Sequence, residues 1–175
     1  MTALDNTPYN KNFLSPLNFN FVIKRAPYTN FFVQSVNLPG FGFVTPLQQT
    51  PFSNIPQTGD RLIFQDLEVT FKVDEEMQNY LEIANWLRSL GFPDNFDQYA
   101  GIKAQTPGSG QETTSDLTLL ISNAIKVPQF QIDFRNAFPI NISRLNFQTT
   151  DQTVNYVSCT ATFKYIFFDI TKITN

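Results

Sequence analysis

The sequence predicts a mainly β domain that carries a single α-helix. Several short segments alternate apolar and polar residues, whereas only one segment has helical spacing. The aromatic residues are 19 Phe, 6 Tyr and 1 Trp, as expected where Phe rings fill the space between sheets. A chain of 175 residues with 42% hydrophobic residues is long enough for one domain with its own core. We therefore expect residues 1–175 to form a single domain.

The strands follow from the alternation, taken in chain order. The predicted strands are 19–23, 31–38 with weak alternation, 67–73, 117–121, 130–134 and 157–167. In the last of these, Ser158, Thr160 and Thr162 form a polar face opposite the apolar residues. Between residues 138 and 149 the apolar positions change parity, which predicts a bulge or a tight turn near Ser143 and Arg144.

One segment, residues 74–91, has the spacing of a helix. Its predicted apolar stripe is Met77, Tyr80, Leu81, Ala84 and Leu87, widened by Ile83, Trp86 and Leu90. Asp74 is the predicted N-cap, with Glu75 and Glu76 in the first turn, so the acidic cluster has a structural explanation. Gly91 and Pro93 supply the stop, and Gly91→Val is destabilising if Gly91 has a positive φ. Trp86 is predicted to lie in the core.

Three segments are predicted to have little regular structure. Residues 39–60 contain four Pro and three Gly and form an extended arm, and residues 91–115 form a long polar loop. Residues 1–15 are a flexible or assembly-ordered N-terminal segment. The arm also carries Phe, and exposed apolar residues on a long arm usually dock on their own domain or on a partner.

Composition argues against most chemistry. The chain has no His, which removes the commonest general base and metal ligand, and no metal-site or phosphate-loop spacing is present. Its single cysteine, Cys159, reads as a buried, inert thiol. A net charge of −3 does not suit binding of nucleic-acid phosphates. No signal peptide or membrane-spanning segment is predicted. We therefore expect no enzyme activity, no cofactor and no metal.

The order of elements carries a resemblance to a known family. The chain reads strand, strand with NLPGF, arm, GDRLIFQDLEVTFKVDEEMQNYLEIANWL, loop, strands, and a closing FPINISRLNFQTTDQTVNYVSCTATFKYIFF. From about residue 19 to 168 it resembles the tail-tube fold of contractile-tailed (T4-type) phages. Within that superfamily, VDEEMQNYLEIANWLRSLGFP and the FPI ending most resemble the tail completion and sheath stabiliser proteins, the tail tube terminators.

The resemblance implies a fold and an assembly. The fold is a sandwich or small barrel of antiparallel strands with the helix on one flank. Six subunits form a ring that caps the last ring of the tail tube, stops polymerisation and offers a surface to the sheath and the neck proteins. DNA passes through the pore without specific binding, and no membrane is involved. The protein would be assembled in the host cytoplasm and reside in the virion tail.

Two sets of residues are candidates for these contacts. The arm residues Phe41, Phe43, Phe52 and Ile55 are expected to contact a neighbouring ring or partner, although they could instead pack within the subunit. Ser158, Thr160 and Thr162 are expected to face the lumen, although an ordinary solvated face would have the same composition.

Other functions remain open at this point. Within the same fold, the chain could be the main tail tube protein or a baseplate tube initiator. From another class, a carbohydrate-binding β-sandwich module would use Tyr99 with Asp94, Asn95 and Asp97, the only local match to such a site. A hydrolase that relies on carboxylates alone is a weaker alternative.

Overall fold

The computed structural model describes residues 11–91, 113–149 and 156–173. The described helices are α1 (Pro27–Phe32) and α2 (Gln78–Gly91). The described strands are β1 (Phe19–Ile23), β2 (Val33–Asn37), β3 (Phe41–Phe43), β4 (Leu47–Gln49), β5 (Asn54–Pro56), β6 (Leu62–Phe64), β7 (Leu67–Lys72), β8 (Ser115–Ser122), β9 (Pro128–Ile142), β10 (Ser158–Lys164) and β11 (Phe167–Lys172). The predicted mainly β class is confirmed.

Seven strands form one open antiparallel sheet. Its order is β1-β8-β9-β10-β7-β2, and β11 also pairs with β9. The first part of β9 pairs with β8 and β11, and its last part pairs with β10. The sheet therefore has two halves that share β9: half A contains β1, β8 and β11, and half B contains β10, β7 and β2. Within the described residues, β1 and β2 end the path and do not close it into a barrel.

A bulge lies where β9 passes from half A to half B. Asn136 has a φ of 53°, and its backbone N–H lies 3.3 Å from a carboxylate oxygen of Asp116. Asn tolerates this left-handed conformation better than most residues. The register with β8 shifts at the same place. A second shift, opposite Thr162 and Phe163, falls within β9, which ends at Ile142. The strand thus ends one residue before the predicted break at Ser143.

The core lies between the two halves. Buried side chains of half A face those of half B, and the largest are Phe21, Phe71, Phe134 and Phe163. Cys159 is part of this core, and burial raises the pKa of its thiol. Its burial agrees with the sequence prediction. In β7 and β10, apolar and polar residues alternate because one face of each strand is covered by the core and the other is not.

Helix α2 begins later than the sequence predicts. Its first residue is Gln78, so Asp74 is not the N-cap, and Glu75 and Glu76 lie before the helix. A turn precedes it, in which Met77 has a φ of 57°. The Asp74 carboxylate still accepts a hydrogen bond from the Asn79 N–H, at 3.3 Å. Asp74 thus binds the first turn from outside the helix.

The buried face of α2 also differs from the predicted stripe. The residues that it buries are Asn79, Ile83 and Trp86, whereas Leu81 is exposed. Asn79 is buried because its amide donates to the carbonyl of Lys72 at 2.7 Å. The predicted position of Trp86 in the core is confirmed, and its ring lies 6.0 Å from that of Phe163.

Two further details correct the sequence reading. Residues 27–32 form α1, where the sequence predicted the start of a strand at residue 31. Gly91, the last residue of α2, does not have a positive φ, and a Cβ there would contact nothing within 4 Å. The strain argued for Gly91→Val therefore does not apply.

Candidate assembly surfaces

Residues 40–65 form a long β-hairpin, here called the arm hairpin. At its base β3 pairs with β6, and further out β4 pairs with β5. Backbone hydrogen bonds continue between these pairs, from Val44 N–H to Arg61 C=O and from Gln57 N–H to Pro46 C=O. The sequence reading placed an arm here but missed that its two legs pair.

The tip of the arm hairpin is a tight turn over residues 50–53. The backbone N–H of Thr50 donates to the carbonyl of Ser53, and the Thr50 hydroxyl accepts from the Ser53 N–H. Pro51 and Phe52 occupy the two central positions, where Pro is favoured at the first. The Phe52 side chain is 99% exposed.

The arm hairpin leaves its apolar side chains uncovered. The exposed ones are Phe41, Phe43, Val44, Leu47, Phe52, Ile55, Leu62 and Ile63. Exposed apolar patches of this kind are typical of interaction sites, so the arm hairpin is a candidate for one. All four arm residues singled out from the sequence thus lie exposed on one hairpin, and Val44, Leu47, Leu62 and Ile63 add to them.

Aromatic contacts hold the base of the arm hairpin to the body. The Phe64 ring lies 5.7 Å from that of Phe168 and 6.0 Å from that of Tyr165, and Phe41 lies 5.9 Å from Phe168. Burial raises the pKa of Tyr165 to about 12, helped by the nearby Asp66 carboxylate. Its hydroxyl therefore stays protonated and donates to the carbonyl of Gln65 at 2.9 Å. The base is fixed to the core, although Phe41 is still largely exposed.

Gly59 allows the two legs to approach each other. A Cβ at Gly59 would lie 1.7 Å from the carbonyl oxygen of Val44. No side chain fits at that distance, so this position requires glycine for the observed pairing.

Half B presents a polar surface on the side away from the core, here called the polar face. Ser158, Thr160 and Thr162 lie on it, alternating with buried residues of β10. The Thr160 hydroxyl lies 3.0 Å from that of Thr70 on β7, and the Asn37 amide donates to Glu68 at 3.2 Å. The three predicted residues thus share a face that is rich in hydroxyl groups.

The opposite end of half B from the arm hairpin carries an apolar groove of about 650 Å³, here called the end groove. Its apolar lining is Phe32, Val73, Met77, Phe147, Tyr156 and Val157. Phe147 and Tyr156 are 72% and 73% exposed. The sequence reading did not find this groove, because its residues come from four separate segments.

Helix α1 is held against α2 by polar contacts. The Glu82 carboxylate on α2 accepts hydrogen bonds from the backbone N–H groups of Tyr28 and Thr29 in the first turn of α1. The N-cap residue of α1 makes no side-chain hydrogen bond to this turn. Burial raises the pKa of Glu82, and the Asp74 charge adds to this, against the lowering effect of those hydrogen bonds. One Glu82 oxygen is buried with no hydrogen-bond partner.

Some predictions fall outside the described residues. Nearly all of the predicted loop 91–115 does, with Tyr99, Asp94, Asn95 and Asp97 of the possible carbohydrate site, as do residues 1–10. In the described part of the chain, no group of three or more acidic or Cys residues is placed to hold a metal ion. No helix among the described residues is long and apolar enough to cross a membrane.

Comparisons with known proteins give one family and several similar structures. The model of a family described as phage tail tube protein matches residues 20–171. No curated protein sequence matches the chain significantly.

Among solved structures, the chain is similar to one from the tube-terminating cap of the anti-feeding prophage. Identity is 13%, coverage is 99% of this chain and 100% of that one, and the TM-score is 0.58.

Two structures from an extracellular contractile injection system, termed PVC, are also similar. One is from its sheath/tube terminator in the extended state, with 13% identity, coverage of 93% of this chain and 99% of that one, and a TM-score of 0.55. The other is from its sheath-tube complex, with 12% identity, coverage of 93% and 94%, and a TM-score of 0.56. At these identities the likeness shows a shared fold.

Proposed function

Because the chain belongs to the phage tail tube protein family, we propose that it is a structural protein of a contractile phage tail. In this role, subunits form a ring, with six as the expected number, that caps the tail tube and stabilises the sheath at the head-proximal end. The protein resides in the virion tail after assembly in the host cytoplasm, and its role involves no catalysis and no cofactor.

The arm hairpin is the observation that carries this proposal. It projects from the body with an uncharged tip whose Phe52 is 99% exposed. A subunit with such a projection has an incomplete surface that a protein partner must cover. In the proposed assembly, Phe41, Phe43, Phe52 and Ile55 contact the neighbouring ring or partner.

The polar face suits the inside of the ring. Ser158, Thr160 and Thr162 would line the lumen with hydroxyl groups, and Glu68 on the neighbouring strand adds a negative charge. The two lysines of this face have partners within the subunit, since Lys72 lies over the Tyr156 ring and Lys164 pairs with Asp66. Phosphate binding relies on basic side chains. A lumen with this composition lets DNA pass without specific binding.

A terminator is the first candidate, because the sequence resembles the tail tube terminators and two of the similar structures come from a tube-terminating cap and from a sheath/tube terminator. The main tail tube protein is the second candidate, because the family description and the sheath-tube structure both concern tubes. A baseplate tube initiator has the same fold, and fold alone does not fix the role.

Negative-stain electron microscopy tests the proposal. The purified protein is imaged at high concentration, alone and after mixing with tail tubes that still elongate when tube subunits are added. A terminator gives single rings or end caps and stops elongation. Long tubes from the protein alone would instead identify the tube subunit, and tubes that elongate normally in its presence would exclude a terminator.

A further inference from the structure

The end groove and the arm hairpin lie at opposite ends of the same sheet half. Strand β7 leaves the base of the arm hairpin at Leu67 and reaches the groove at Lys72, and β2 and β10 run the other way beside it. Six residues of strand span about 17–20 Å. Two copies of the subunit placed head to tail would therefore bring the arm hairpin of one towards the end groove of the other.

The groove offers mainly apolar surface, and two of its three charged residues, which are Lys72, Asp74 and Glu75, have partners inside the subunit. The Lys72 ammonium lies 4.7 Å from the centre of the Tyr156 ring, and the Asp74 carboxylate accepts from the Asn79 N–H. The backbone N–H of Val73 donates to Val157, which fixes two of the lining residues. An uncharged apolar group would gain most by binding here, because it covers the aromatic residues without desolvating a charge of its own.

The tip of the arm hairpin has this chemistry. Residues 47–56 carry no charge, and Phe52 projects from a turn that is fixed by its own hydrogen bonds. An aromatic anchor held rigidly before binding loses little conformational entropy when it enters a pocket.

In the structure, the subunit does not use its own tip for this purpose. The apolar residues of the arm hairpin beyond its base are exposed rather than folded back on the body. The tip is thus available to another molecule.

We propose that the end groove receives the arm hairpin tip of a second copy of this chain, with Phe52 as the anchor. This rests on the proposed function, since both require an assembly of tube-fold subunits. The contact joins two different surfaces, so it is heterologous: repeated, it closes into a ring or continues as an open stack.

Thiol cross-linking tests this contact. Ser53→Cys places a thiol beside Phe52 at the tip, and Glu75→Cys places one at the groove without removing an apolar lining residue. The two variants are mixed, treated with a short bis-maleimide, alone and on tail tubes, and separated on a denaturing gel. The matched control replaces Glu75→Cys by Asn20→Cys, an exposed position on β1 of the other sheet half. Wild-type protein, whose Cys159 is buried, gives the background.

The expected result is a dimer formed at least about tenfold more efficiently than in the Asn20→Cys control, because docking gives the thiols a high effective concentration. Adding Phe52→Asp to the Ser53→Cys chain should reduce the dimer to the control level. Equal yields with both acceptors, alone and on tubes, would overturn the proposal. A cross-link within one chain in the Ser53→Cys/Glu75→Cys double variant would also overturn it.

The double variant separates this proposal from the terminator function. A ladder that stops at a fixed number of chains supports both the groove contact and a closed ring. A ladder without an end supports the groove contact but contradicts a terminator. If the protein stops tube elongation while no specific cross-link forms, the groove proposal fails and the terminator function stands.

Discussion

Apolar residues are exposed in the arm hairpin and buried in half B. In β7 and β10, apolar residues such as Val69 and Phe163 are fully buried against the other half of the sheet. In the arm hairpin, Phe43 lies between Gly42 and Val44 and Phe52 lies at the tip turn, and both remain exposed. Apolar residues therefore mark a surface that must be covered, and they do not say whether the cover comes from the same subunit or from another.

The sharpest test of this comparison is a pair of Phe→Ala changes. Phe163→Ala should lower the free energy of unfolding by about 3–5 kcal/mol, because it leaves a cavity beside Trp86. Phe52→Ala should change it by less than about 0.5 kcal/mol, since the side chain has no cover to lose. Urea denaturation measures both. A similar loss for the two variants would mean that Phe52 packs within the subunit in solution.

Deleting residues 46–55 removes the outer half of the arm hairpin. We expect the subunit to stay folded, because the core lies elsewhere, and to lose its binding to tail tubes completely. Circular dichroism and cosedimentation with tubes measure the two properties. Loss of the folded circular-dichroism signal would show instead that the arm belongs to the core, while normal cosedimentation would remove the arm from the interface.

Gly59→Ala changes the hairpin geometry without removing a residue from it. The added Cβ would overlap the carbonyl of Val44, and relieving such overlaps typically costs about 1–3 kcal/mol. The legs can separate locally, so the melting temperature of the body should stay unchanged while amide hydrogen exchange at Val44 and Gln57 speeds up. Gly42→Ala is the control, since a Cβ there contacts nothing within 4 Å. Unchanged exchange in the Gly59→Ala variant would contradict this account.

The elements that the sequence predicts correctly are those in which one face is apolar and the other is polar. Strands β7 and β10 were predicted because each has one apolar face and one polar face. The buried face of α2 was misplaced because Asn79 is buried through a hydrogen bond to Lys72, which hydrophobicity does not report. Helix α1 was missed because it has only six residues and includes an aromatic pair that suits a strand.

The assembly surfaces show the same limit. The arm was recognised from its Pro, Gly and Phe, but its pairing depends on the contact between Gly59 and Val44, which are 15 positions apart. The end groove joins Phe32, Val73 and Phe147, and only the folded sheet brings them together. Local patterns therefore predict strands and exposed segments, while concave sites require the tertiary structure.

The smallest effect on stability is expected at the contact between α1 and α2. This contact is partly buried and contains the carboxyl group of Glu82. Burial raises the pKa of Glu82, so the folded protein holds this proton at pH values where the unfolded chain has released it. The Glu82 contribution to stability is therefore fully present below the ordinary carboxyl pKa of about 4.3 and is lost as pH rises through the raised value. Glu82→Gln should lose this dependence.

The measurement is the free energy of unfolding of both proteins between about pH 4 and pH 8, the range over which a raised carboxyl pKa acts. The stability of Glu82→Gln relative to wild type should rise with pH and then level off. Glu68→Gln is the control, because Glu68 lies exposed on the polar face. A difference that stays constant with pH would show that Glu82 titrates alike in the folded and unfolded chains. The polar α1–α2 contact would then behave like an exposed surface, and the contrast between covered and uncovered regions would be confined to apolar residues.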